Sequence, residues 1–101
     1  MFSIQKNDQT ITWEFDDALS FSQIKSHELN AKTNHKSLAD FTSWIVDINH
    51  AKKIDSSGLS FLLLQKAYAK KINIHFKIIG FEKHPKVIEL AKAQGVYPIL
   101  F

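Results

Sequence analysis

Two adjacent hydroxyls in Asp55-Ser56-Ser57-Gly58 stand where an apolar helix begins, and they are the residues of this chain best placed for chemistry at a surface. An Asp or Ser ahead of a helix accepts hydrogen bonds from its orphan N–H groups, and a Gly there lets another chain segment approach closely. Capping accounts for the Asp and the Gly. It leaves unexplained two small hydroxyls side by side at the positive end of a helix, where a phosphate or a partner's carboxylate is electrostatically favoured. The turn reads as a docking point. Ser56 and Ser57 are its candidate partner contacts, with Asp55 and Gly58 beside them.

Other chemistries fit poorly. A hydrolase elbow wants Gly two residues before the serine as well as two after, whereas Ile54 and Asp55 precede Ser56, and no histidine lies in a conjugate position. His27, His35, His50, His75 and His84 form no i,i+4 pair and show no local carboxylate pattern, so no metal site is expected. They read as surface or loop residues, His84 opening a helix beside Pro85. Three isolated glycines without a Gly-Lys-Ser/Thr run cannot cradle nucleotide phosphates. Neither an enzyme nor a cofactor is expected.

The helix after the turn, Leu59 to Lys71, carries strong helix formers and ends on two lysines suited to a helix C-terminus. At about 100° per residue, Leu59, Leu62 and Leu63 share one face, while Phe61, Leu64 and Tyr68 gather on nearly the opposite side. One stripe can pack on a sheet. The other is either covered by a neighbouring helix or partly open as a protein-binding patch, which makes Phe61, Leu64 and Tyr68 candidate partner contacts.

The remaining elements must hold that helix in place. Phe2 and Ile4, then Ile11, Trp13 and Phe15, alternate with polar residues around Asn7-Asp8-Gln9 and predict an N-terminal hairpin. Ser20 caps an expected helix from Phe21, a polar surface connection runs from about Asn30 to Ser37, and Leu38 and Phe41 return to the core. Ser43 to Ile48 is a β-branched and aromatic run of the kind that fills a middle strand. Ile72 to Ile79 alternates as a strand, Pro85 to Gln94 reads as a helix ended by Gly95, and Val96 to Phe101 as a short closing strand. The expected order is β-β-α-β-α-β-α-β: an α/β domain spanning residues 1–101, its mixed sheet mostly parallel beyond the hairpin.

With 101 residues, 45% apolar and no Cys, one core forms without disulfides or a structural metal, and a reducing compartment, the cytoplasm, is the expected location. No apolar run reaches the roughly 20 residues a spanning helix needs, and Met1 to Lys6 does not look like a signal peptide, so no direct membrane insertion is expected. All 13 basic residues are lysine. Without arginine's bidentate fork, a nucleic-acid partner is not expected. Charge is uneven: residues 1–50 hold 4 Lys against 7 acids, residues 51–101 hold 9 Lys against 3, so the halves carry −3 and +6. The second half can present a basic surface to an acidic partner.

Trp44-Ile45-Val46-Asp47-Ile48, a spacer, and Ile54-Asp55-Ser56-Ser57-Gly58-Leu59 together resemble a STAS domain, the fold of anti-sigma-factor antagonists and of the cytoplasmic tails of sulfate transporters. Ile78-Ile79-Gly80, and Val87 to Leu90 leading to Gly95-Val96, extend the resemblance over nearly the whole chain. It implies a non-catalytic binding module. In antagonists of that kind the serine directly after the aspartate accepts phosphate from a partner kinase, a position that falls on Ser56. Ala18-Leu19-Ser20-Phe21 is more similar to the MlaB-type STAS subunit of Mla phospholipid ABC transporters than to the Gly-Glu-Leu-Asp usual in sigma regulators. That likeness implies a cytoplasmic subunit, membrane-associated through its complex, that binds and regulates the transporter's ATPase. The alternative it leaves is an anti-sigma factor antagonist whose partner is a kinase.

Overall fold

Period-two alternation at the N-terminus folds into the expected hairpin. In the computed structural model, which describes residues 2–100, β1 (Phe2–Asn7) runs antiparallel to β2 (Thr10–Phe15), with Phe2 opposite Phe15 and Asn7 opposite Thr10. The tight connection holds Asp8 at φ 56°, a left-handed conformation that Asp tolerates better than most residues. β3 (Ser43–Asp47) and β4 (His75–Ile79) add in parallel, giving the order β1-β2-β3-β4 with the Trp44 strand inside.

Successive side chains of a strand point to opposite faces, and here one face is sealed while the other meets water. Ile11, Trp13, Phe15, Trp44 and Val46 are fully buried, whereas Thr12, Glu14, Ile45 and Asp47 are partly exposed and Lys77 is exposed. The helices cover the sealed face. Leu59 and Leu62 of α2 (Ser56–Ile72), Ala31 of α1 (Ile24–Asn34), and Val87 and Ala91 of α3 (Pro85–Ala93) join those strand residues in one core. The Trp13 and Trp44 rings meet edge to face at 4.8 Å, a geometry worth about 1 kcal/mol beyond area burial. No described helix is long and apolar enough to cross a membrane.

Four local expectations are corrected. Ser20 does not cap a helix at Phe21: its carbonyl accepts the Gln23 N–H at 2.9 Å in a turn, and α1 starts at Ile24 with no side-chain cap. The stretch read as a polar connection instead completes α1 and continues as a 3₁₀ turn over His35–Asp40, pinned by buried Leu38. β4 starts at His75 rather than Ile72, because α2 runs on to Ile72 and ends on Asn73, whose left-handed φ of 60° lets its N–H reach the last helical carbonyls.

The closing strand is absent as well. Gly95 takes φ 74°, and Tyr97–Leu100 forms one helical turn, α4, with the Leu100 N–H donating to the Val96 carbonyl at 3.3 Å. A short apolar run has no decisive period, and Pro98 has no N–H for a sheet ladder but is tolerated in the first turn of a helix. Phe101, the last residue of that expected strand, lies outside the described residues.

Candidate functional site: the start of helix α2

Asp55 holds this corner together. Its backbone is extended, and its Oδ1 accepts the N–H groups of Ser57 at 2.9 Å and Gly58 at 3.1 Å, the N-cap arrangement that its position before the helix predicts. Its Oδ2 accepts the N–H of Phe21 at 3.0 Å, from 34 residues earlier in the chain. Beside this tie Leu19 and Ile54 form a parallel bridge, the Leu19 N–H donating to Lys53 at 2.7 Å and the Asp55 N–H to Leu19 at 3.3 Å. One carboxylate thus caps α2 and fastens the β2–α1 loop to it.

Gly58 makes that stitch possible. It is buried, and a Cβ there would fall onto the Leu19 carbonyl oxygen, 2.9 Å from the Leu19 Cβ and 3.0 Å from the Ile54 Cγ2. Its expected role as a direct contact is corrected to that of a spacer, since the loop lies over it. Ser56 is exposed and Ser57 half-buried.

The far stripe of α2 divides. Phe61 is only 1% exposed, its ring packed on Phe15 at 5.7 Å and on His27 at 6.2 Å, so its expected role as a partner contact is corrected: α1 covers it. Leu64, by contrast, is 61% exposed. Tyr68 is half-buried and stacks on His35 at 3.9 Å. Leu29 of α1, 65% exposed, stands across from Leu64, and between them runs a shallow groove of about 510 Å³ that also meets Lys25, Lys32 and Tyr68.

Sequence reasoning missed Phe21. At 74% exposure it is the most open large apolar side chain described, held beside Ser56 by the bond to Asp55. The available signal was a lone aromatic among Ser20, Ser22 and Gln23, a poor start for an amphipathic helix. His27 departs from the surface reading: it is buried, and its Nε2–H donates to the Ala18 carbonyl at 2.9 Å. Among the described residues no three His, Cys, Asp or Glu side chains come together as metal ligands do.

No protein-family model and no curated protein matches the sequence. Among solved structures, the anti-sigma factor antagonist SpoIIAA in its unphosphorylated form superimposes with a TM-score of 0.72 at 15% identity, over 100% of this chain and 86% of that one. The chain has the STAS fold. That likeness is one of architecture: a four-stranded mixed sheet opened by a hairpin, with helices on one face.

Within this STAS frame the charge of Asp55 is tuned by its role. Loss of solvent pushes its carboxyl up, but the N–H donors of Phe21, Gly58 and Ser57, together with the Lys53 charge, outweigh that and hold it below the ordinary value. A carboxyl whose pKa is lower folded than unfolded stabilises the fold above the unfolded value of about 3.9, and this contribution disappears as pH falls through the folded value. Urea unfolding across the acid range is expected to show a smaller pH-dependent loss for Asp55→Asn, which keeps a capping oxygen but does not titrate. Equal acid slopes in the two proteins would contradict this account.

Proposed function

We propose that this chain is a non-catalytic subunit that docks on a protein partner through the start of α2, with Ser56 at the centre of the contact and Phe21, Leu64 and Tyr68 around it. The observation that carries this reading is an exposed hydroxyl, Ser56, directly after the carboxylate of Asp55, which also accepts the N–H of Phe21, whose ring is 74% exposed. Such a corner is preorganised, so a partner meets little of the ordering cost that weakens association. Asp55, Ser57 and Gly58 shape the corner; Ser56 and the apolar side chains are what a partner touches.

The first partner is the ATPase subunit of an Mla-type ABC phospholipid transporter, which this chain binds and regulates. That assignment is supported by the similarity of Ala18-Leu19-Ser20-Phe21 to the MlaB-type subunit, a segment whose Phe21 is among the apolar side chains this fold leaves open. It implies a cytoplasmic protein held at the membrane by its complex. A second reading, an anti-sigma factor antagonist switched by a partner kinase, is favoured by the likeness in fold to SpoIIAA.

Affinity purification of the chain from its native cell distinguishes the two. Co-purification of a transporter ATPase is expected, with retention falling about tenfold in Ser56→Asp and in Phe21→Glu, a loss in keeping with one well-seated interface residue. Recovery of a kinase-type anti-sigma factor, with phosphate on Ser56, would instead establish the second reading. Retention of every partner unchanged by both substitutions would overturn the docking corner.

A further inference from the structure

A second concavity opens on the same corner. Its lining is Lys53 and Ile54 from the approach to α2, Lys83 and His84 from the link between β4 and α3, and Pro85, Lys86 and Val87 from the first turn of α3; its volume is about 290 Å³. Three lysines and no carboxylate line it. All three lysines are exposed, while Ile54 is half-buried and Val87 buried, so the lining combines three open ammonium side chains with an apolar floor. The His84 Nε2–H donates to the Ile48 carbonyl at 2.9 Å and fixes the α3 side of the pocket to the end of β3.

The acids nearest to it in sequence lie outside its lining. Asp55 already accepts three backbone N–H groups, Glu82 belongs to the preceding 3₁₀ turn, and Glu89 sits one helical turn beyond Lys86 outside the lining. The pocket is the local expression of the +6 carried by residues 51–101. Lys53 and Ile54 directly precede Asp55 and Ser56, so the pocket and the proposed docking corner share the chain segment that leads into α2.

We propose that this pocket receives an acidic segment of the protein partner, an apolar side chain seating on Ile54, Pro85 and Val87 while flanking carboxylates meet Lys53, Lys83 and Lys86. A lysine rim of this kind supplies orientation and on-rate, and the apolar floor supplies a seat that simple charge attraction lacks. The proposal rests on the reading that the Ser56 corner is a docking surface and names the chemistry of what docks there.

The test titrates the intact chain with a synthetic peptide, Glu-Glu-Leu-Glu-Glu blocked at both ends, followed by backbone amide NMR shifts. Shifts are expected at residues 53–54 and 83–87. Binding should weaken about tenfold in the triple variant Lys53→Glu/Lys83→Glu/Lys86→Glu, since each exposed pair contributes a fraction of a kcal/mol. Lys66→Glu/Lys70→Glu serves as the control, because those lysines line a separate basic hollow at the far end of α2. Equal weakening by both sets, equal shifts around Lys66 and Lys70, or an unblocked affinity for phosphatidylglycerol vesicles through the same lysines without peptide binding would each overturn the proposal. Circular dichroism checks that the variants remain folded. Partner retention that depends on Ser56 but not on the three lysines would remove this pocket and leave the docking corner; peptide binding at the pocket with Ser56-independent retention would do the reverse.

Discussion

Leu59→Asp is expected to unfold this domain at room temperature, while Ser56→Asp, three residues earlier on the same helix, leaves it folded. Leu59 is fully buried between α2 and the sheet. Truncating such a leucine costs about 2–5 kcal/mol on its own, and a carboxylate there adds the penalty of a charge without a partner. The sum rivals the whole stability of a domain of this size, about 5–15 kcal/mol. Ser56 is exposed at the first position of the helix, where a negative charge faces the positive end of the macrodipole, so its replacement should move stability by no more than about 0.5 kcal/mol. Far-UV circular dichroism and urea midpoints of the two variants provide the check. A Leu59→Asp protein with an unchanged midpoint would mean that α2 does not face the sheet through this residue.

Gly58→Ala carries the second large effect, and its sign is the informative part. By helix propensity alone, alanine should stabilise α2 by about 1 kcal/mol. Against this, the new methyl would meet the Leu19 backbone oxygen, which cannot swing aside as a side-chain end could. Making room opens the bridge between Leu19 and Ile54 and its two backbone hydrogen bonds, each worth about 1 kcal/mol, with strain of about 1–3 kcal/mol added. The clash prevails, with a net loss of about 2 kcal/mol and a fall in melting temperature of about 10 °C for a chain of this length. The same opening frees the Phe21 N–H from Asp55, so partner binding should weaken with stability. A melting temperature that rises would show that α2 and the β2–α1 loop are not in close contact at Gly58.

Patterns of local period and turn chemistry carried most of the architecture. Alternation in Ile11-Trp13-Phe15 marked a half-wet strand, Asp55 marked a capped helix start, and Pro85 with Gly95 bracketed a helix, because each signal acts within a few residues of itself. Local signals failed where two structures compete for one short segment. Ile72-Asn73-Ile74 alternates like a strand, yet Ile72 completes α2, since a left-handed Asn ends the helix only after that residue. Val96 to Phe101 reads as a strand by composition, yet Tyr97–Leu100 folds as a helical turn, since Pro98 has no N–H to donate to a sheet ladder.

What the amino acids determined by themselves is that an aspartate would cap a greasy helix, with a hydroxyl pair in its first turn. Which apolar residues around that cap remain in water was settled only by tertiary packing. Phe61 and Leu64 are chemically alike and three positions apart, but α1 lies over the first and misses the second. Phe21 is held outside by a hydrogen bond to a residue 34 positions away. Periodicity reports the direction of a side chain about its own helix axis; whether another element covers that direction depends on contacts between segments distant in the chain.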